Sequence, residues 1–370
     1  MAGATGQCAL AALLGIAIGV AAPSGAMAAE RKSFVVSWFY PAIYTQPDNC
    51  PDGINPLSTG IMRNALALAG KNTQETEAIL ESVAVGGGGA NNRKARDAIV
   101  DRGKAEGKPA NAYLNPTTAP DPGFKTAVGK YAYGFDLDGK GANDANAFEE
   151  PETHQKGIDN AYFRVVGCVE NHQAPPGHDP VYPISTWDTL RETMPAWVVT
   201  IEGKDLSRDG DVKVVVDRAI NTVIRDAHGE ILVDQTFEVD PDQRSRNALK
   251  GTIKDGVLSA KAPKFFLLGD EFLGYELDFT RVQLRIQLKP DGAAEGVLGG
   301  YVKWMPLYVQ HAGAGLTAES MRGVDIVGFY RAYSKLADAD ADATGQNTRI
   351  SSAWRIKLLP AFVLPREAKH

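Results

Sequence analysis

The chain has 370 residues, of which 44% are hydrophobic and 23% charged, and its formal net charge is −6. This composition excludes an intrinsically disordered chain, which would carry fewer apolar residues and a larger charge imbalance. A mildly acidic protein is not expected to bind nucleic acid, and the chain lacks the repeated apolar runs of about 20 residues that membrane-spanning helices require.

The first segment of the chain has the layout of a secretory signal peptide. No charged residue precedes Glu30, residues 9–22 form an apolar run, and residues 26–28 form an A-x-A cleavage signature. We therefore predict a signal peptide over residues 1–28, cleavage near Ala28, and a periplasmic or secreted mature protein without a transmembrane anchor. The first residues lack the usual Lys or Arg, and a buried N-terminal helix is the alternative.

The cysteines indicate one disulfide. Cys8 lies within the predicted signal peptide and precedes its apolar run, which argues against a lipoprotein anchor. The mature chain then retains Cys50 and Cys168. In an oxidising compartment two cysteines are expected to pair, so we predict a disulfide, with two separate buried thiols as the alternative. Neither C-x-x-C-H nor a Walker A motif occurs, so neither haem nor a nucleotide is predicted.

Residues 29–127 combine a predicted strand with a helical segment. The β-branched and aromatic residues of 33–44 predict the strand. Apolar residues at helical spacing predict helices over residues 57–82 and 91–106. Four consecutive glycines at 86–89 separate the two helices and predict a flexible loop.

Residues 181–370 are predicted to form an antiparallel β domain. Turn signals at residues 226–229 and at Asp255-Gly256 indicate hairpins. Gly299 and Gly300 indicate a bulge or close backbone packing. Alternation of apolar and polar residues predicts one buried face for Val282, Leu284, Ile286 and Leu288. The predicted strands cover residues 193–201, 212–224, 230–239, 277–289, 297–309 and 350–363.

A helix over residues 317–336, capped by Thr317, is predicted to pack on this sheet. The predicted fold class is therefore α+β and mainly antiparallel β. We expect a β-sandwich or an open barrel-like meander, with an N-terminal helical elaboration and a C-terminal packing helix. One large domain is favoured over two because no convincing linker occurs.

An acidic loop in the polar stretch 128–180 is the sharpest functional signal. Asp136 and Asp138 alternate in a glycine-containing segment, and Asn143 and Asp144 follow. Asp159 lies farther along, where the chain could fold back and add another oxygen. Calcium takes six to eight oxygen ligands, so these residues form our predicted calcium site. The alternative is a solvated loop that uses Asp and Gly for its turns.

The six residues from Asp136 to Gly141 resemble the opening of the calcium loops of EF-hand and dockerin-type modules. The resemblance implies that Asp136 and Asp138 supply calcium ligands. The sequence departs from the pattern at Lys140, where an acidic or amide ligand is expected. It departs again at Ala147, which stands where the bidentate glutamate would be.

Two other groups of residues are candidate metal sites. Asp338, Asp340 and Asp342 alternate, and such close carboxylates repel one another unless a cation or water screens them. Calcium is the hypothesis here too, with a solvated loop as the alternative. His172 and His178 follow Cys168 in a proline-containing loop, where imidazoles could bind a transition metal or act as acid and base. Exposed loop histidines without a function are the alternative.

The sequence contains none of the common nucleophile or metalloprotease motifs. We therefore favour an exported, non-catalytic β-rich protein that is stabilised by calcium and binds a small ligand, a glycan or an envelope protein. An extracytoplasmic hydrolase or lyase with carboxylates as acid and base is one alternative, and a structural or accessory envelope protein is another. Five aromatic residues could stack a flat ligand, although core packing is favoured: Trp187, Trp197, Tyr275, Tyr301 and Trp304.

Overall fold

The computed structural model describes residues 29–84, 97–144, 147–174, 191–269 and 276–364, together with Gly3, His178 and Pro180. The predicted signal peptide, the loop of four glycines, Trp187 and Tyr275 lie outside the described residues. The strands are β1 (Glu30–Pro41), β2 (Gly103–Ala105), β3 (Lys108–Ala110), β4 (Phe148–Glu149), β5 (Lys156–Ile158), β6 (Trp197–Gly203), β7 (Gly210–Arg218), β8 (Gln235–Glu238), β9 (Asn247–Lys254), β10 (Val257–Leu268), β11 (Glu276–Leu288), β12 (Ala294–Lys303), β13 (Ala339–Ala341) and β14 (Asn347–Leu364). The helices are α1 (Ser58–Leu68), α2 (Thr73–Ala84), α3 (Ala161–Val166), α4 (Trp304–Ala314), α5 (Leu316–Arg322) and α6 (Ile326–Leu336).

Eight strands form a closed antiparallel barrel in which neighbours in the wall follow one another in chain order, with the other strands lying between some of them in sequence, and the first strand pairs with the last. The order around the wall is β1, β6, β7, β9, β10, β11, β12 and β14. β1 completes the wall because Phe34 lies opposite Val199 of β6 and Pro360 of β14. The prediction of a mainly antiparallel, barrel-like α+β fold is confirmed. The wall is closed, which differs from both the open meander and the sandwich.

Alternation along the strands separates the barrel interior from its outer surface. In β11, Phe279 is buried, and after a bulge against β12 the buried positions resume at Val282. Arg281 lies in this bulge with a φ of 53°. The buried face predicted for this strand is confirmed: Val282, Leu284 and Ile286 are buried, and Leu288 packs against the same core.

Aromatic side chains fill the barrel interior around the fully buried Trp354. The indole stacks on Phe39 at a centroid distance of 4.9 Å and meets Phe279 edge-on at 6.4 Å. Tyr162 of α3 lies 5.1 Å from the indole and stacks on Tyr333 of α6. These two helices therefore pack against the buried aromatic core that includes Trp354.

Glycines divide two segments that the sequence predicted as single helices. The segment 57–82 forms α1 and α2 with Gly70 between them, and the segment 317–336 forms α5 and α6 with Gly323 between them. Their φ values of 82° and 63° are left-handed. A residue in this conformation commonly ends a helix because it redirects the chain.

Two further helix predictions were wrong in detail. Thr317 lies within α5 rather than before it, and Asp325 caps α6 by accepting a hydrogen bond from the Gly328 N–H at 2.7 Å. In the described part of the segment 91–106, residues 97–100 are helical but residues 103–105 form β2.

Most predicted strands are present with shifted ends. The hairpin at Asp255-Gly256 is confirmed by the pairing of β9 with β10. The turn at residues 226–229 is also present, but β7 already ends at Arg218. The strand predicted over 297–309 ends at Lys303, where α4 begins.

Cys50 and Cys168 form the predicted disulfide, with their Cα atoms 5.8 Å apart. The bond joins the loop after β1 to the residues after α3, across 118 positions of sequence. Asn55 supports the same junction, because its amide donates hydrogen bonds to the carbonyls of Lys125 and Cys168 at 2.7 and 2.9 Å. A disulfide fits an oxidising compartment outside the cytoplasm.

The start of the acidic loop, with Phe135 directly before it, packs against the outside of the barrel wall. A Cβ atom on Gly299 of β12 would lie only 2.4 Å from the Phe135 ring. The glycine therefore leaves the space that Phe135 occupies, which confirms the predicted close packing at this position. Leu137, Tyr301 and Ala353 belong to the same outer apolar cluster. These contacts position the acidic loop over β12 and β14.

Candidate functional site

A polar cleft of about 490 Å³ lies on the outside of the barrel wall. The acidic loop, the residues after β5, and the segment that joins the end of α6 to β13 surround it. We call it the acidic cleft. It brings together residues that are far apart in sequence. Its polar lining consists of Asp138, Asp144, Asp159 and Asp338, the cations Lys140, Arg164 and Lys335, and Tyr301, Asn160, Asn347 and Ser351.

Backbone hydrogen bonds hold the acidic loop against the residues that follow β5. The Asp159 N–H donates to the Phe135 carbonyl at 2.8 Å. In return, Asp159 Oδ2 accepts from the N–H groups of Leu137 and Asp138 at 2.7 and 3.2 Å. The chain therefore folds back as the sequence analysis expected, and it places Asp159 under the loop.

Three of the predicted calcium ligands converge at this point. One carboxylate oxygen from each of Asp136, Asp138 and Asp159 lies within 4.8 Å of the other two. Among the described residues, no other set of three His, Cys, Asp or Glu side chains comes this close. Asn143 is exposed in the following turn, and Asp144 lines the cleft without joining the three.

Glycines give the acidic loop its tight course. Gly139 and Gly141 have φ values of 79° and 56°, and the Gly139 N–H donates to Asp136 Oδ1 at 2.7 Å. Gly157 lies directly against Gly141, so a Cβ at Gly157 would come within 2.5 Å of the Gly141 backbone. Larger residues would separate the loop from the segment that carries Asp159.

Lys140 neutralises one of the three carboxylates. Its ammonium lies 2.6 Å from Asp138 Oδ2, and its N–H donates to Asp138 Oδ1 at 2.9 Å. Burial by itself would raise the pKa of Asp138, but the hydrogen bonds and charge of Lys140 hold it below its usual value.

Asp159 is 9% exposed, and no described Lys or Arg side chain lies within salt-bridge distance of it. Burial, followed by the charges of Asp138 and Asp338, raises its pKa to about 6, although the backbone hydrogen bonds act in the opposite direction. Burial of the Asp159 carboxylate therefore disfavours its charged form.

Asp338 enters the cleft from the opposite side. Its two oxygens accept from the N–H and the hydroxyl of Ser351 at 2.7 and 2.6 Å. The same hydroxyl accepts from the N–H of Ala161, the first residue of α3, at 2.8 Å. The protein atoms around the Asp338 carboxylate remove water from it and so raise its pKa, although the residue as a whole remains exposed.

Tyr301 forms part of the cleft wall and is 3% exposed. No described residue hydrogen-bonds to its hydroxyl; the Arg281 guanidinium lies over the ring at 5.1 Å. Burial first, and then the carboxylates of Asp159, Asp338 and Asp138, raise the pKa of Tyr301, so the hydroxyl keeps its proton at neutral pH.

The second acidic run does not assemble as one group. Only Asp338 reaches the acidic cleft. Asp340 pairs with Arg349 at 3.0 Å, and Asp342 accepts hydrogen bonds from Thr344 within its own turn. Both carboxylates therefore have partners within the protein.

The two candidate histidines lie in different surroundings. His172 is buried in a short 3₁₀ turn after the disulfide, and His178 is exposed. Neither belongs to the cluster of three carboxylates. Of the aromatic candidates, Trp197 and Trp304 belong to the main core, while Tyr301 faces the cleft.

Sequence reasoning missed Ser351, Asn160 and Lys335 as cleft residues. Asn160 directly follows Asp159, which was a local signal. Ser351 and Lys335 carried none, because the pairing of β14 with β12 places Ser351 opposite Tyr301 and the end of α6 brings Lys335 to the cleft.

No protein-family model, curated protein or solved structure showed a significant match to the chain. Within the described residues, no helix combines the length and the apolar character needed to cross a membrane.

Proposed function

We propose that this is an exported, non-catalytic binding protein that holds a small hydroxyl-rich ligand, of the glycan class, in the acidic cleft. The observation that carries the proposal is the mixed polar lining of one cleft of about 490 Å³. This volume lies in the range of small-molecule sites. Sugar hydroxyls donate and accept hydrogen bonds, and the lining offers carboxylate acceptors beside amide, hydroxyl and ammonium donors.

The cleft residues are held in place before any ligand arrives, which supports a binding role. Ser351 fixes both oxygens of Asp338, and the Asn160 amide donates to the Tyr133 carbonyl at 2.8 Å. Side chains fixed in this way lose little entropy when a ligand binds. The periplasm or the cell exterior is the proposed location, supported by the predicted signal peptide and by the disulfide.

Isothermal titration with neutral and acidic mono- and disaccharides, from glucose to glucuronic acid, tests this function. We expect at least one sugar to bind, and Tyr301→Phe to weaken its binding about fivefold, since a net hydrogen bond contributes about 1 kcal/mol. Tyr330→Phe is the matched control, because Tyr330 packs on Trp304 and Tyr308 away from the cleft. Absence of binding across the panel, or equal weakening in both variants, would overturn the proposal.

An extracytoplasmic hydrolase or lyase is the second candidate. It is favoured by the presence of Asp159 and Asp338 in one cleft beside Tyr301, since paired carboxylates can serve as acid and base. Hydrolysis of nitrophenyl glycosides tests it. Turnover above background that is lost in Asp338→Asn would favour the enzyme over the binding protein.

A further inference from the structure

We propose that the outer wall of the barrel binds an anionic polysaccharide, a chain of sugars that carry carboxylate or sulfate groups. The surface is a row of three lysines on neighbouring strands, Lys213 of β7, Lys250 of β9 and Lys261 of β10, which we call the lysine row. None of the three lines the acidic cleft. The inference therefore does not rest on the proposed function.

The register of the strands places the three lysines side by side. Lys213 lies directly opposite Lys250, and Lys250 lies directly opposite Lys261. Successive side chains of a strand point to opposite faces, and all three lysines are exposed. Neighbouring strands are about 4.8 Å apart, so the row extends over about 10 Å. The inward-facing neighbours of the lysines belong to the main core: Val212, Val214, Leu249, Ala260 and Ala262.

The protein compensates the positive charge of the row only at one end. Glu202 of β6 lies opposite Lys213, and its carboxylate is 3.6 Å from the ammonium. Asp211 is exposed on the same face of β7, two positions before Lys213. No acidic side chain in the described part of the chain lies within salt-bridge distance of Lys250 or Lys261. Like charges directly opposite each other destabilise a sheet, and an anionic partner removes this repulsion.

The polar groups around the row suit a sugar chain. Thr252 and Ser259 are exposed and lie opposite each other, two positions along their strands from the lysines. Gln283 of β11 lies opposite Lys261, and Lys264 adds another exposed ammonium on β10. Hydroxyls and amides both donate and accept hydrogen bonds, whereas ammonium groups only donate. The surface therefore offers partners for the hydroxyls and for the anionic groups of a polysaccharide.

The surface favours a polysaccharide over a membrane or a nucleic acid. In the described residues of β6, β7, β9, β10 and β11, no large apolar side chain is exposed. Proteins that lie on a membrane bury such side chains in it, and single-stranded nucleic acids stack their bases on aromatic side chains. A row of charges across three strands, flanked by hydroxyls, instead fits an extended sugar chain.

The acidic loop separates the lysine row from the acidic cleft. The Gln283 amide donates to the Asp136 carbonyl at 2.9 Å, so the acidic loop begins one strand beyond Lys261. The carboxylates of this loop repel an anionic chain. The polysaccharide is therefore confined to the side of the wall formed by β7, β9 and β10.

Calorimetric titration of the mature protein with heparin, alginate and neutral dextran, at low and at physiological salt, tests the inference. We expect heparin and alginate to bind and dextran not to bind. Lys250→Gln combined with Lys261→Gln should weaken heparin binding about tenfold at low salt and lower the slope of log K against log salt by roughly 1 to 2, because fewer counterions are released. Lys250→Arg combined with Lys261→Arg keeps both charges and should retain binding.

Lys104→Gln combined with Lys108→Gln is the matched control. These exposed lysines lie on the β2–β3 hairpin, and their loss changes the net charge by the same amount. This variant should bind heparin as the unmodified protein does. Tyr301→Phe should also leave heparin binding unchanged, so failure of the acidic cleft and failure of the lysine row are distinguishable.

The inference fails if heparin and alginate bind no better than dextran, or if the two glutamine double variants weaken binding equally. Tighter binding to phosphatidylglycerol vesicles or to DNA than to either polysaccharide would assign the row to a membrane or a nucleic acid and overturn the inference. Sedimentation provides a further check. Self-association of the unmodified protein that is lost with Lys250→Gln and Lys261→Gln would assign the row to a second copy instead.

Discussion

At the scale of single residues, a buried ionic network lies apart from the acidic cleft. Glu319 is fully buried, pairs with Arg102 at 2.8 Å and accepts from the Tyr113 hydroxyl at 2.7 Å. Asp325 lies beside this pair and caps α6. One guanidinium thus faces two carboxylates away from water, and the second carboxylate is costly to keep charged.

Asp325 should make stability depend on pH. Burial first, and then the charge of Glu319, raises its pKa to about 6 from 3.8, although the Gly328 N–H and Arg102 oppose this. The folded state therefore binds a proton that the unfolded state does not bind between about pH 4 and 6. Protonation of Asp325 therefore stabilises the folded state increasingly as the pH falls from about 6 towards 4, and this stabilisation is absent at pH 7.5.

Asp325→Asn keeps an oxygen for the Gly328 N–H and removes the buried charge. We expect it to flatten the stability profile between pH 4 and 6 and to raise the free energy of unfolding at pH 7.5 by about 2 kcal/mol. Urea denaturation at several pH values measures both effects. Asp291→Asn, in the exposed turn between β11 and β12, is the control and should change neither. An unchanged pH slope in Asp325→Asn would contradict the prediction.

At the scale of elements, α3 links the acidic cleft to the barrel core. Asn160 caps this short helix by accepting from the Phe163 N–H at 3.0 Å, and its amide donates to the Tyr133 carbonyl at 2.8 Å. Tyr162 and Val165 on the same helix are buried in the main core. A helix of this length is not stable alone, so its packing and its cap determine whether it forms.

Asn160→Ala should lower the free energy of unfolding by about 2 kcal/mol, since a cap and a further hydrogen bond contribute about 1 kcal/mol each. Asn160→Asp retains the cap but has no amide to donate to Tyr133, so it should lose only about half as much. Urea denaturation of the two variants separates the two bonds. Equal stability of both variants and the unmodified protein would show that neither bond contributes.

Local signals were sufficient for several elements. The alternation in β11 predicted its buried face, and Asp255-Gly256 predicted the β9–β10 hairpin, because both depend on neighbouring residues. Gly70 and Gly323 were local signals for helix breaks. We nevertheless predicted one continuous helix across each glycine, because the apolar residues on both sides kept helical spacing. A positive φ at each glycine is a property that the sequence permits but does not require.

At the scale of the whole molecule, contacts between distant segments close the barrel and confine the chain. β1 pairs with β14 near the other end of the sequence, where Phe34 lies opposite Pro360. The disulfide adds a covalent link between Cys50 and Cys168, 118 positions apart. Such a link removes much of the conformational freedom of the unfolded chain.

Replacing both cysteines, Cys50→Ala with Cys168→Ala, should lower the free energy of unfolding by about 4–5 kcal/mol, the loop-closure value for a loop of this length. Urea denaturation measures the loss. A thiol assay of the denatured mature protein should detect no free thiol before reduction and two after it. Free thiols before reduction, or full stability of the double variant, would contradict the prediction.

The sequence by itself determined the β-rich class, the main strands and turns and the acidic loop, because each depends on composition or on residues close in the chain. The pairing of Cys50 with Cys168 followed from the cysteine count. Only the tertiary structure decided that the wall closes, that Asp159 lies beside Asp136 and Asp138, and that Asp338 and Tyr301 face the same cleft. Packing such as Phe135 on Gly299 positions these groups. Contacts across such distances depend on the energy of the whole packed barrel, which no local pattern reports.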